Sequence, residues 1–252
     1  MSETTSIRAG EVRFMPKQKM KGGVWTTLLL VLGIAALLVS MLFPARRTAS
    51  SAARRNVCIS NLERIGIALR DYEADHGSLP PAYTVDAEGK PLHSWRTLIL
   101  PYLEQQELYD TIDLSKSWDD PANEEARNTH VPGLLCPEAP CDYLYTTYFA
   151  VVTPDSCFPL ARARKLSEIC DSHSQTVMVI EGHSDRAVHW MCPQDADEHT
   201  YLQMKTDSYS GSPCAIFVDG HVQSISPDTS PAILRALISV AGKEKISQED
   251  LE

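Results

Sequence analysis

Apolar and polar positions divide the chain unevenly. From Val24 to Phe43 the run VWTTLLLVLGIAALLVSMLF holds 20 residues without a charge, long enough to cross a hydrocarbon core of about 30 Å. After Pro44 the pattern changes: Cys58, Leu62, Ile65, Leu69 and Tyr72 recur at spacings of three and four and place one apolar stripe on a helix. Gly77, then Leu79, Pro80 and Pro81, predict that this helix ends at about His76. Pro44 is expected to bend it rather than stop it.

The rest alternates short helices and strands. SWRTLILPYLEQQELYDTI predicts two short helices meeting at Pro101, and Asp120 before Pro121 predicts a helix start. TTYFAVV and QTVMVIE read as strands, and AIFVDGHVQSI places Asp219-Gly220 between two strand-like runs, a hairpin signal. A last helix is expected to start with Ser230 as cap and Pro231 in its first turn, carry Ile233, Leu234, Leu237 and Ile238 on one apolar face, and close at Gly242. The expected organisation is a basic leader over 1–23, a transmembrane and spine helix over 24–76, and a globular α+β domain over 77–252.

The formal net charge of −10 speaks against nucleic acid or anionic lipid surfaces as partners of the globular part. Basic residues flank both ends of the apolar run, Lys17, Lys19 and Lys21 before it and Arg46, Arg47, Arg54 and Arg55 after. Charge therefore leaves the orientation undecided. Cys136 and Cys141 in CPEAPC are candidates for a small disulfide loop, for two thiolates of a metal site, or for plain thiols. No metal ligand is assigned. His189, Cys192 and His199 around Asp195, Asp197 and Glu198 lack the order and the glycine of a calcium loop, and read as a solvated acidic loop. Glu181, His183, Ser184 and Asp185 crowd acid, base and nucleophile types into one short stretch, which a polar loop after a strand also explains; no catalytic residue and no cofactor are assigned. Trp95 and Trp190 are expected in the core.

An apolar N-terminal helix, a proline about twenty residues along it and CISNLERIGIALRDYEADHGSLPPAY resemble the type IV pilin and pseudopilin superfamily. More narrowly, LHSWRTLILPYLEQQELYD, VPGLLCPEAP, QTVMVIEGH and FVDGHVQSIS resemble a large bacterial family of pilin-like membrane proteins with a C-terminal domain of unknown function. The resemblance runs from Gly22 to about Gly242. It implies a type IV pilin-like fold, a long spine helix packed on an antiparallel sheet with short peripheral helices. It also implies a prepilin-type N-terminus: Lys21, Gly22 and Gly23 match the leader, with leader-peptidase cleavage between Gly23 and Val24 and the methylation that accompanies it. The phenylalanine that usually opens the mature helix is replaced by Val24, and the glutamate at its fifth position by Leu28. Near the C-terminus Asp219 and Gly220 of the family's signature are kept, while its histidine corresponds to Tyr209. The implied protein is a non-catalytic subunit of the inner membrane, N-terminus cytoplasmic and C-terminal domain extracytoplasmic. It would meet lipid through residues 24–43, and other pilin-like subunits of a secretion or surface filament. A monomeric single-pass envelope binding protein is the alternative.

Overall fold

The computed structural model describes residues 23–137, 142–204, 212–243 and 246, and leaves undescribed the side chains of 23–26 and 35–51. In chain order its elements are α1 (Gly23–His76), β1 (Tyr83–Val85), β2 (Pro91–Ser94), α2 (Trp95–Leu98), α3 (Gln106–Asp110), α4 (Glu124–Arg127), β3 (Tyr145–Thr146), β4 (Tyr148–Ala150), β5 (Val177–Glu181), β6 (Val188–His189), α5 (Glu198–Met204), β7 (Cys214–Phe217), β8 (Val222–Ser224) and α6 (Pro231–Ile238). Two compact units divide the chain, Met1–Ala49 and Ser50–Glu252, with the division inside α1.

In the first unit the described side chains Leu28 to Leu32 and Ile34 are exposed. The leader lies outside the described residues, as do the side chains on either side of the Gly23–Val24 bond. The expectation of a type IV pilin-like fold on a transmembrane spine helix is corrected: among the described residues no helix is long and apolar enough to cross a membrane. Before residue 52 the described side chains of α1 are those of 27–34 alone, fewer than a crossing needs, and past Ser51 the charges Arg54, Arg55, Glu63, Arg64, Arg70, Asp71, Glu73 and Asp75 interrupt every apolar window. That later part is amphipathic, with one buried stripe. What stands is the broader class, α+β.

The second unit is built on a four-stranded antiparallel sheet in the order β4-β5-β7-β8. Both faces are covered, so the central strand β5 is buried at every position. On one face Tyr148, Ala150, Cys214 and Ile216 share a core with Cys58, Leu62, Ile65 and Leu69 of α1. On the other, Phe149, Val151, Ala215 and Phe217 share a core with Tyr201 and Met204 of α5 and Leu234, Leu237 and Ile238 of α6. Neighbouring residues of β4 and β7 alternate between the two cores, as the two-residue repeat of a strand requires. In β5 the register shifts between Val177 and Val179, and Met178 and Val179 both join the α1 side.

The helix stripe read from the sequence is thus the buried face. It comes close because Gly66 lies over β7: a Cβ there would stand 3.1 Å from Ile216 Cγ2 and 3.4 Å from the Gly220 carbonyl oxygen. Gly66→Val is expected to destabilise the protein by about 2 kcal/mol through overpacking, read from the shift of the urea unfolding midpoint. Arg55 Nη2 donates to Ser224 Oγ at 2.8 Å and to the Ser212 carbonyl at 3.0 Å, Asn61 Nδ2 to the Leu135 carbonyl at 2.8 Å, and Arg70 Nη1 to the Asp219 carbonyl at 3.0 Å. Gly77, at φ +72°, ends α1 after His76.

Other sequence expectations land close to the observed elements. Asp219-Gly220 forms the β7–β8 turn, with Gly220 at φ +92° and Gly220 N donating to the Phe217 carbonyl. Ser230 Oγ accepts from Ile233 N to cap α6, and Asp120 accepts from Ala122 N. Two boundaries move. The first short-helix pair breaks at Glu104, which is left-handed at φ +62°, because Pro101 sits in the first turn of a 3-10 segment, Leu100–Leu103, where it lacks no bond. α6 stops at Ile238 rather than Gly242: Ser239 turns extended, and Val240 N donates to the Asp155 carbonyl at 3.0 Å.

Candidate functional site

The chemistry-bearing groups of the second unit gather at the end of β5 nearest Cys58. Cys58 is on the buried stripe of α1, where helical spacing aims it at the sheet with Leu62 and Ile65. Cys136 follows a 3-10 turn over Pro132–Leu134, and Asn61 fixes the approach by holding the Leu135 carbonyl. The two cysteines form a disulfide with Cα atoms 5.1 Å apart and a sequence separation of 78. Of the three alternatives left open for Cys136 and Cys141, a small loop, a metal site or plain thiols, none holds for Cys136, which is bonded to Cys58; Cys141 lies outside the described residues.

Glu181 is the last residue of β5 and pairs in register with Tyr148. Its carboxylate reaches Cys136 Sγ at 2.8 Å, and all three groups are buried. From β4, the Tyr148 hydroxyl donates to the Cys58 carbonyl at 3.5 Å. Ligand atoms of Cys58, Cys136 and Glu181 lie within 4.8 Å of one another. A zinc site would need both sulfurs as thiolates, so the disulfide as it stands leaves one carboxylate and no ligand set.

Tyr148 also joins a second buried node. Ser94 caps α2 by accepting from Arg96 N at 3.2 Å, and this turns the Arg96 side chain into the core, where it is fully buried. Arg96 Nη2 and Nε donate to the Tyr148 carbonyl at 2.8 and 3.1 Å, and Nη2 reaches Asp195 Oδ1 at 2.6 Å. The same oxygen accepts from Trp95 Nε1 at 3.1 Å and Ala150 N at 2.8 Å. Burial pushes the Asp195 carboxyl up to about 6, while Arg96, Trp95 and Ala150 pull against that rise. The guanidinium also stands 4.9 Å from the centre of the Trp95 ring.

The acidic stretch read as a solvated loop is therefore corrected at Asp195, which is the anchor of a buried ion pair with 3% of its side chain exposed. The remaining members disperse. Asp197 accepts from Thr200 N at 2.8 Å, Glu198 pairs with Arg235 at 2.6 Å, and His199 meets Gln203 on α5. His189 stacks near Trp118 and Trp190, the latter buried as expected, as is Trp95. Glu181 and His183 do not converge either: His183 Nδ1 accepts from Asp185 N in the turn after β5, while Glu181 faces the disulfide. Tyr209 lies outside the described residues.

Two histidines give the unit a pH dependence. His93 is buried with Nε2 at 2.7 Å from the Lys116 carbonyl, and His189 Nε2 is at 3.0 Å from the Arg127 carbonyl while its Nδ1 accepts from Met191 N. Burial lowers both pKa values below the ordinary 6.5. On acidification the unfolded chain takes up these protons first, so their contribution is complete above pH 6.5 and is lost as pH falls toward the folded values. Urea unfolding at pH 7.5 and 6.3 is expected to show lower stability at the acid end; below about 6, proton uptake by Asp195 in the folded state acts in the opposite sense.

Residues 47–159 match the model of a family described as a protein of unknown function, DUF1559. The match takes in Cys58, Arg96, Cys136 and Tyr148, but neither the leader region nor the hairpin at Asp219, where the rest of the expected resemblance falls. No curated protein and no solved structure matches the chain.

Proposed function

We propose that this chain is a non-catalytic, pilin-like or pseudopilin-like subunit of a secretion or surface filament assembly. Lipid holds it through residues 24–43, with 1–23 cytoplasmic and the Ser50–Glu252 unit extracytoplasmic. The observation that carries this reading is the match over 47–159, to a family often linked to type II secretion pilin-like proteins. Two features support it. Leu28 to Leu32 and Ile34 present contiguous apolar side chains, which a lipid or a partner helix would cover. And the groups of the second unit best suited to catalysis are engaged structurally, Glu181 at the disulfide and Asp195 on Arg96.

The alternative, a monomeric envelope binding protein with the same anchor, is favoured by one residue. Leu28 stands where pilins keep a carboxylate to pair with a neighbour's terminal amine, so that pairing is lost and self-assembly is weakened. A photoreactive amino acid at Ile34 in the full chain separates the two. Irradiated membranes of the source cells are expected to yield adducts with other pilin-like subunits; adducts with lipid alone would favour the binding protein and overturn the assembly reading.

A further inference from the structure

We infer that Glu181 is the proton acceptor that closes the Cys58–Cys136 disulfide. A disulfide needs no carboxylate once formed, and a carboxylate is costly to bury. Yet Glu181 places an oxygen 2.8 Å from Cys136 Sγ, a close contact with a sulfur that carries no hydrogen in the disulfide, so the carboxylate stands where it would meet the thiol of the reduced chain. Strand pairing sets that position: Glu181 is opposite Tyr148, whose hydroxyl meets the Cys58 carbonyl, so β4 and β5 together hold base and both sulfurs in one place.

The oxidant is a small or protein disulfide, RS–SR, of the kind that oxidises exported chains. While α1 is not yet seated on the sheet, Cys58 exchanges with it to give Cys58–S–S–R and one RSH. As the helix closes on the sheet, the Glu181 carboxylate takes the proton from Cys136. The Cys136 sulfur then attacks Sγ of Cys58, the Cys58–SR bond breaks, and the electron pair leaves on RS⁻, which recovers the proton from Glu181. The net change is Cys136–SH plus Cys58–S–S–R to the disulfide plus RSH, with Glu181 ionised again. A base beside the thiol matters because the thiolate is the nucleophile and burial in apolar surroundings disfavours it.

A purely electrostatic role has the opposite sign. A fixed negative charge disfavours a thiolate next to it, so removing the charge would speed closure. The reduced full-length chain, given oxidised glutathione and quenched with an alkylating agent, reports closure as the mass-mapped Cys58–Cys136 peptide. Glu181→Gln is expected to close at least about tenfold more slowly at pH 7, a floor set below the roughly hundredfold or more typical of general-base effects. Its rate should climb with pH between 6 and 8 as the thiol ionises, whereas the native rate stays nearly flat. Glu181→Asp, which keeps a carboxylate, is expected to retain the flat profile at a reduced rate. The pH slope is compared within each variant, so a general folding defect does not imitate it. Closure of Glu181→Gln at or above the native rate, or with the native pH slope, overturns the inference.

Discussion

Replacing Cys58 and Cys136 together by alanine is expected to lower stability by about 4 kcal/mol, because the cross-link closes a loop of 78 residues whose freedom the unfolded chain then regains. That is a large share of the 5–15 kcal/mol typical of a domain. The bond joins α1 to the segment before residue 137, and so holds the stripe Leu62, Ile65 and Leu69 on the sheet from one end. Urea unfolding distinguishes this from a local packing loss. If the effect lies in the unfolded chain, the variant exposes more surface on unfolding and its m-value rises as its midpoint falls. A loss below about 1 kcal/mol with an unchanged m-value would mean that the helix is seated without the bond.

Asp195→Leu is expected to cost about 4 kcal/mol, since it leaves Arg96 charged, fully buried and without its carboxylate. Ala150 N and Trp95 Nε1 lose their acceptor as well. Removing both charges should hurt less. In Arg96→Met/Asp195→Leu no charge is stranded, and an apolar pair of similar volume commonly replaces a buried ion pair with little net loss. The double variant is therefore expected to be more stable than Asp195→Leu alone, by thermal unfolding under identical conditions. Additive losses would place the pair's importance in its separate contacts with Tyr148 and Ser94 instead.

Much of the scaffold was legible because it depends on local rules. The spacing of Cys58, Leu62, Ile65 and Leu69 has the helical period, and that face is buried. Gly77, Asp219-Gly220 and Ser230-Pro231 signal a stop, a turn and a start that need no tertiary partner. The site was less legible because its partners are far apart in sequence. CPEAPC suggests a bond to the nearest cysteine, whereas the pairing follows from where α1 docks. Asp195 sits among Asp197, Glu198 and His199 and reads as one more solvated acid; only the inward turn of Arg96, 99 residues away, makes it an anchor. The paired β3 and β6 span two residues each, too short for any periodic signal.

The proposed anchoring and orientation are tested most directly on the full chain in its own membranes, with an epitope after Glu252. Carbonate-washed membranes are expected to retain the protein, and protease added to intact spheroplasts to remove the epitope, as an extracytoplasmic Ser50–Glu252 unit requires. Release of the protein into the wash, or an epitope protected until the membrane is opened, would contradict the account.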